Sequence, residues 1–419
     1  MKKITFAFLG LGNRGQVHSS QVLKYPDRMK VVAASDPRKE CRDACNKYLN
    51  LPENMLFESG EELLKQEKLA DVMVISTTDR QHKAHAIAAL SKGYDLLLEK
   101  PIAVTPEDCK EIAETAARLG RKVLVCHVLR YTPFYKTIKQ LINKGTVGKI
   151  EAIQATEGVG WYHMAHSYVR GNWHKLETSA PMILAKSSHD LDLIIWLTGK
   201  KCKKVTSFGS LDYFKKENCP EGAPDRCMDG CPKEDCPFHA VKYYISRIPG
   251  WPARILHPEP NEENIMEALR NTDYGRCVFK MDNNVVDHQI VNLLLEDNIT
   301  ASFQMIGFTA TQDRTIRIMG TEGEIWGNLK SKVIHYSRFG EEEQIIDLTK
   351  THSDFSGHAG GDSGLMDDML HYEADDDFDR ISLTPIDQSV ESHMIAFAAE
   401  KSRLADGEVI DMQEFKNSI

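Results

Sequence analysis

The sequence has no long apolar run and no excess of basic residues. No stretch reaches the ~18 consecutive apolar residues of a membrane span, so no transmembrane helix is predicted. Lys and Arg total 52 against 61 Asp and Glu, which gives a net charge of −9, whereas a nucleic-acid footprint needs a basic face. These shortages predict a protein that binds neither nucleic acid nor a membrane.

No targeting segment is predicted at the amino terminus. The apolar run Ile4–Leu9 is too short for a signal peptide and leads directly into glycines, with no small-residue cleavage site. We therefore expect a cytoplasmic protein. In that compartment its ten cysteines should be thiols or metal ligands rather than disulfides.

Length and pattern predict two domains. The chain has 419 residues, of which 42% are hydrophobic and 27% charged, and this length exceeds what one core usually serves. Strands and helices alternate over residues 1–127, which is typical of a doubly wound parallel sheet. Residues 128–419 instead favour an α+β domain with a mostly antiparallel sheet. Its β-type runs are 150–158, 203–210, 276–282, 286–295, 299–306, 314–319 and 332–336.

A glycine-rich turn follows the first apolar strand. Gly10 permits the tight turn, Gly12 lets the backbone approach a pyrophosphate, and Gly15 lets helix and strand pack closely. The second strand ends in Asp36, 21 residues beyond Gly15, near the spacing of an acid that binds ribose hydroxyls. Together these features predict a dinucleotide site that favours NAD over NADP. Arg38 could reach a 2′-phosphate, but we interpret it as a solvated loop residue.

A charged pair, Glu99 and Lys100, ends another apolar strand and precedes Pro101. Doubly wound sheets bind their ligands at the carboxyl ends of the strands. Lys100 is therefore a candidate catalytic residue beside the candidate cofactor. The alternative is a surface lysine that happens to follow a strand.

The motifs Gly10-x-Gly12-x-x-Gly15, Asp36-Pro37, Thr78-x-x-x-His82 and Glu99-Lys100-Pro101 resemble the Gfo/Idh/MocA family of glucose–fructose oxidoreductase and inositol dehydrogenase. The resemblance implies an N-terminal Rossmann domain and a C-terminal domain with a large open sheet. It also implies NAD(P)-dependent chemistry on sugars or cyclitols and a homo-oligomer, a dimer or tetramer through the open sheet. The implied cofactor-binding residues are Gly10, Gly12, Asn13, Arg14, Gly15, Asp36, Arg38, Thr77, His82, Glu99 and Lys100.

His189 and Lys186 are the candidate partners of Lys100 in the second domain. They lie three residues apart near the predicted start of an apolar helix, so we expect them to share a face. The helix dipole disfavours their charged forms there, which suits a base near neutral pH. The resemblance implies that His189 is catalytic, but Ala185 stands where many members carry aspartate. The alternative for His189 is a structural histidine at the domain interface.

Two polar segments are candidate sugar-binding loops. One, between Gly160 and Trp173, combines aromatic rings that stack on sugars with histidines and an arginine that bind hydroxyls. The other, 357–362, resembles a glycine-rich site segment of sugar-processing family members. Ordinary turns or oligomer contacts are the alternatives. The substrate-binding candidates, including two that follow a family pattern, are Arg130, Tyr131, Tyr162, His163, His166, Arg170, Trp173, His358 and Asp362.

Cysteines concentrate in a proline-rich part of an insert at about 213–275. We hypothesise a structural Zn²⁺ held by Cys227, Cys231, Cys236 and either Cys219 or His239, because thiolates and imidazoles are the ligands of such sites. An iron–sulfur cluster and free thiols in an inserted loop are the alternatives.

These features predict an NAD-dependent oxidoreductase that acts on a sugar or glycoside by hydride transfer from a ring hydroxyl carbon. His189 or Lys186 would remove the hydroxyl proton, and Lys100 would orient the hydroxyl and stabilise the developing oxyanion. If the keto sugar stays bound, elimination, water addition and re-reduction would make an NAD-dependent glycoside hydrolase. A non-catalytic nucleotide-binding regulator is the alternative of another class.

Overall fold

The computed structural model describes residues 3–419. Alternate side chains of the first strand pack into different hydrophobic cores. Phe6 and Phe8 belong to one core, and Ala7 and Leu9 belong to the other. Both faces of the sheet are therefore covered. The strands of this sheet are β1 Ile4–Leu9, β2 Met29–Ser35, β3 Leu56–Phe57, β4 Val72–Ile75, β5 Asp95–Leu98 and β6 Val123–Val125. In the described residues they pair in parallel in the order β3-β2-β1-β4-β5-β6, which is the order of dinucleotide-binding sheets.

Helices connect these strands as the alternating pattern predicts. Thr105 caps one of them, because its side chain accepts a hydrogen bond from the amide of Asp108, and Pro106 follows at the first helical position. The helices are α1 Asn13–Ser19, α2 Lys39–Leu49, α3 Gly60–Lys65, α4 His82–Ser91 and α5 Pro106–Leu119.

The second domain is built on a large mixed sheet, within the part of the chain that the structure describes. Its strands are β7 Ile150–Gly158, β8 Cys202–Ser210, β9 His288–Leu295, β10 Thr300–Ile306, β11 Asp313–Gly320, β12 Gly323–Asn328, β13 Val333–Arg338, β14 Gln344–Asp347 and β15 Ile410–Asp411. They lie in the order β14-β13-β12-β11-β7-β10-β9-β8-β15. All neighbours are antiparallel except the parallel pair β7 and β10, which confirms the predicted fold class.

The helices of this domain flank the sheet and form the insert. They are α6 Pro133–Asn143, α7 Trp161–His163, α8 Met182–Ala185, α9 Ser188–Thr198, α10 Ala240–Ile245, α11 Ala253–Leu256, α12 Glu262–Asn271, α13 Gly361–Glu373, α14 Ile386–Leu404 and α15 Met412–Asn417. A π-helical stretch, Met164–Arg170, continues α7. Among the helices of residues 3–419, none is long and apolar enough to cross a membrane.

The prediction of a strand at 276–282 is wrong. Val278–Lys280 forms a single 3₁₀ turn, and the apolar side chains that suggested a strand are buried elsewhere. Phe279 packs edge-on against Phe238 of the insert, with ring centroids 6.2 Å apart. Burial in an aromatic cluster therefore replaces pairing in a sheet.

The end of the chain returns to the first domain and covers the edge of its sheet. The amide of Val125 in β6 donates to the carbonyl of Thr384, and the Thr384 hydroxyl donates to the carbonyl of Val125. Leu365 and Met369 of α13 are buried in the same core as Phe6 and Phe8. The carboxyl-terminal part of the chain therefore shares a hydrophobic core with the parallel sheet.

Candidate active site

The glycine turn between β1 and α1 has the close contacts expected of a dinucleotide site. Gly10 has a φ of +90°, and a Cβ there would lie 2.6 Å from the carbonyl oxygen of Ser76. A Cβ at Gly15 would lie 2.1 Å from the carbonyl oxygen of Gly10, so both positions require glycine. Asp36 fixes the turn, because its Oδ2 accepts a 2.8 Å hydrogen bond from the amide of Leu11.

Arg38 is paired with Asp36 rather than simply solvated. Its Nε and Nη2 donate to the two carboxylate oxygens of Asp36 at 3.1 and 3.2 Å. The carboxylate remains buried, whereas about half of the arginine side chain is exposed. The acid at the ribose position is thus preserved, and its presence favours NAD.

Glu99 and Arg14, two residues implied in cofactor binding, are engaged with each other behind the turn. The Nε of Arg14 lies 2.6 Å from Oε1 of Glu99, and the Nε2 of His18 lies 2.8 Å from the same oxygen. Burial opposes ionisation of Glu99, but Arg14 and His18 outweigh it and lower the pKa of this carboxyl. The Nη2 of Arg14 also donates to Asp362 at 2.7 Å. This ion-pair network ties the glycine turn to residues 357–362.

Lys100 follows the end of β5, and its side chain extends to the second domain. Its Nζ donates a 2.6 Å hydrogen bond to the carbonyl oxygen of Ala185. Burial lowers the pKa of Lys100 to about 8, despite the opposing charge of Glu99, and Lys186 contributes to the shift. The lysine is therefore poised near neutral pH.

His82 supports the turn that presents Lys100. The Nδ1 of this buried histidine lies 2.7 Å from the carbonyl oxygen of Pro101, and its Nε2 lies 3.2 Å from that of Thr77. Both ring nitrogens thus face the backbone of the two strand ends. This placement makes His82 a support for the turn that carries Lys100.

Lys186 does not share a helix face with His189, and that prediction is wrong. It lies in the break between α8 and α9, before the N-cap Ser187. Its Nζ lies 3.4 Å from Oε1 of Glu157, a fully buried acid on β7. Burial lowers the pKa of Lys186, while Glu157 opposes the shift.

His189 lies in the first turn of α9 and is buried. Its Nδ1 has no hydrogen-bond partner within residues 3–419. Burial, followed by the charge of Lys100, lowers the pKa of His189 well below the usual value. Its ring lies 5.6 Å from His127 and 6.4 Å from His358 between centroids. The site therefore holds a neutral imidazole with one unpartnered ring nitrogen.

The glycine-rich segment brings His358 to the same site. Gly357, His358 and Ala359 all have positive φ, a strained run for the two residues that carry a Cβ. The Nδ1 of His358 lies 3.0 Å from Oδ2 of Asp362. Because Arg14 holds Asp362, the carboxylate orients an imidazole whose side chain is 40% exposed.

The other candidate loop divides between the site and the insert. His163 contacts Gln312 through Nδ1 at 3.1 Å, and burial and then Lys186 lower its pKa. His166 instead contacts the hydroxyl of Tyr244 at 2.8 Å. Arg170 donates to the carbonyls of Arg276 and Phe238, each at 2.7 Å. His166 and Arg170 therefore anchor the loop to the insert.

Four more substrate candidates also have protein partners. Arg130 forms a buried bidentate pair with Asp192 at 2.7 and 2.6 Å. The hydroxyl of Tyr131 contacts that of Thr384 at 2.8 Å. Tyr162 accepts from the amide of Gln312 at 3.3 Å, and the indole of Trp173 donates to Asp79 at 3.0 Å. Arg130 and Tyr131 are both buried.

Sequence reasoning missed two groups beside the site. His127 lies two residues after the end of β6, just as Lys100 lies two residues after the end of β5. This equivalent position at a strand end could have identified His127 as a site residue. His393 lies behind it, with ring centroids 5.5 Å apart. Glu157 pairs with Arg314 as well as Lys186, and the sequence carries no local sign of this pairing.

The cysteines of the insert do not converge on one point. All ten cysteines are free thiols in the described part of the chain. One group of three metal-ligand residues lies within 4.8 Å of one another among residues 3–419, and it consists of His18, Glu99 and Cys126. Arg14 already neutralises that glutamate. Neither set forms a preorganised metal site.

Two family models together match about half of the chain. The model "Oxidoreductase family, NAD-binding Rossmann fold" matches residues 4–127, and "GFO/IDH/MocA C-terminal domain" matches residues 135–228. The chain belongs to the Gfo/Idh/MocA family. Its first domain is thus an NAD-binding Rossmann domain.

Individual relatives are distant. The chain is 24% identical over 80% of its length to "Putative oxidoreductase YteT" of Bacillus subtilis, also over 80% of that protein. It is 25% identical over 50% of its length to "2,7-anhydro-N-acetylneuraminate hydratase" of Mediterraneibacter gnavus, covering 53% of that protein. An "Inositol 2-dehydrogenase" of Burkholderia multivorans is 26% identical over 46% of this chain and 53% of its own. The chain therefore spans about half the length of the last two.

A solved structure shows the same fold over the whole chain. The oxidoreductase from Agrobacterium radiobacter, solved in complex with NAD+, L-tartaric acid and magnesium, has a TM-score of 0.70 at 14% identity and covers 99% of both chains. At this identity the likeness concerns the fold alone.

Proposed function

We propose that the protein is an NAD-dependent oxidoreductase that oxidises a ring hydroxyl of a sugar or glycoside. The observation that carries this proposal is the meeting of Lys100, at the end of a strand of the NAD-binding sheet, with the site segment of the second domain at Ala185. Bound NAD supplies a hydride acceptor. The protein supplies the groups that orient the hydroxyl and move its proton.

The charges of these groups suggest a division of roles. His189 is neutral and has an unpartnered Nδ1, so it is the proposed proton acceptor. Lys186 lies beside the Glu157 carboxylate, which favours its ammonium form and a hydrogen bond to a substrate oxygen. Lys100 orients the reacting hydroxyl and stabilises negative charge that develops on its oxygen.

A second candidate, the NAD-dependent glycoside hydrolase, has its own support. Burial lowers the pKa values of His163 and His189, and the ring of His358 lies 6.4 Å from that of His189 between centroids, so several imidazoles surround one site. Elimination and water addition require such groups to remove and return protons after the oxidation. The hydratase of an anhydro sugar among the relatives supports this route.

One assay separates the candidates. The purified protein is offered a panel of free sugars, cyclitols and aryl glycosides with NAD. Net NADH formation supports the dehydrogenase, and release of the aglycone with no net NADH supports the hydrolase. NAD binding without either reaction would favour a regulator and overturn both enzymatic proposals.

Zinc in the insert and self-association are further proposals. The proposed zinc ligands are Cys227, Cys231, Cys236 and either Cys219 or His239, and metal analysis of protein purified without chelator tests for stoichiometric zinc. On the open sheet the cross-strand neighbours Phe208 and Ile290 are 55% and 38% exposed. A second copy of this chain would cover them, which light scattering tests.

A further inference from the structure

The insert reaches across to the first domain at the glycine turn. A cavity of about 90 Å³ separates the two. It is lined on the Rossmann side by Gly12, Asn13 and Arg38 and on the insert side by Arg254, Ile255 and Pro258. The glycine turn marks the pyrophosphate position and Asp36–Arg38 the ribose position. The cavity therefore lies where the adenosine half of a dinucleotide binds.

The insert side of this cavity has the chemistry of that ligand. Arg254 is exposed, and its guanidinium has no hydrogen-bond or ion-pair partner within residues 3–419. A guanidinium binds phosphate oxygens well, whereas Ile255 and Leu256 offer apolar surface to an adenine ring. Adenosine diphosphate carries both an anionic diphosphate and a flat adenine ring.

The segment is held at both ends. Glu259, just beyond it, pairs with Lys47 on α2 of the first domain. Ala253, at its start, is buried in a small core with Tyr244 and Leu269 of the insert. An ion pair between two exposed side chains contributes little to stability. The packing of Ala253 in the insert core therefore provides most of the anchoring.

The same insert also contacts the substrate side. Trp251, two residues before the segment, lies 5.0 Å from the ring of His163 and 5.3 Å from that of His166 between centroids. One inserted unit thus touches the candidate sugar-binding loop and the far end of the cofactor site.

We propose that residues 253–258 cap the adenosine diphosphate half of NAD and retain the cofactor between turnovers, with Arg254 as a cofactor-binding residue. The proposal rests on the proposed function in that the ligand is NAD. A retained cofactor suits the second candidate, the hydrolase, which takes up a hydride and returns it within one catalytic cycle.

Hydrogen–deuterium exchange of the full chain tests the cap. NAD should slow amide exchange in peptides that cover the glycine turn and in those that cover 253–257. Nicotinamide mononucleotide, which lacks the adenosine half, should leave 253–257 unchanged. Protection by NAD of the glycine turn alone would overturn the cap but not the proposed function, whereas protection of neither would overturn both.

A pair of matched variants tests Arg254. Arg254→Ala should speed NAD release in a displacement experiment by about tenfold, the effect of one lost charge-assisted hydrogen bond. Arg270→Ala removes an exposed arginine from α12 of the same insert and should leave release within about twofold. Equal release rates in the wild type and Arg254→Ala would remove the assigned role.

Discussion

Lys100 and Ala185 are joined by a 2.6 Å hydrogen bond from the lysine ammonium to a main-chain carbonyl. Because Ala185 has no polar side chain, it replaces the aspartate that the family resemblance leads one to expect with a group that does not titrate. The lysine is thus oriented without an adjacent counter-charge at this position. Its ionisation is set by burial and by the neighbouring charges of Glu99 and Lys186.

Replacing Lys100 should separate binding from turnover. Lys100→Ala should keep NAD affinity within about threefold, because the glycine turn and Asp36 are untouched. Turnover should fall by about 10³-fold, since the hydroxyl loses its orienting donor. Steady-state kinetics and NAD titration measure the two effects, with Lys204→Ala on the exposed surface as the control. Unchanged turnover would contradict the proposed site.

His189→Gln should remove the proton acceptor while preserving the fold. We expect turnover to fall by about 10²- to 10⁴-fold, the usual contribution of a positioned base. His352→Gln, at an exposed histidine, is the matched control and should behave as the wild type. If His189→Gln retained full activity, Lys186 would become the proposed base.

The activity should fall on the alkaline side with an apparent pKa near 8. Lys100 has a pKa of about 8, and its proposed role requires the ammonium form, so activity is lost as the pH rises through that value. The pH profile of kcat/KM measures this limb. Lys100→Arg, which stays charged, should remove the limb at a lower rate. A rise in activity above pH 8 would instead identify Lys100 as a base.

Acid should destabilise the protein through buried neutral histidines. Burial lowers the pKa of His127 to about 4, below the 6.5 of an unfolded chain. Between these values the unfolded state binds more protons, so the free energy of unfolding falls as the pH drops. For His127 the loss between pH 7 and pH 5 is about 2 kcal/mol.

Urea unfolding at the two pH values checks this prediction. In His127→Gln the difference between pH 7 and pH 5 should shrink by about 2 kcal/mol, and in His352→Gln it should stay at the wild-type value. His393, whose pKa burial lowers to about 3, should retain its own contribution. An unchanged difference in His127→Gln would show that its titration does not control acid stability.

The sequence predicts best what depends on local pattern. The glycine turn, Asp36 and Lys100 follow from strand ends and spacing, so their positions could be found before any contact was known. The pairing of Glu157 with Lys186 joins β7 to a helix break 29 residues later, and no periodicity reports it. Arg170 seemed suited to a sugar, yet backbone carbonyls of the insert accept its hydrogen bonds. Such long-range polar partners depend on tertiary packing.

The hydrogen bonds between Val125 and Thr384 also set an order of events during synthesis. The edge of β6 stays unpaired until about 260 further residues have been added. The nucleotide-binding half therefore leaves the ribosome long before its last edge partner exists. Until Thr384 has been made, the unpaired edge of β6 is open to pairing with other chains.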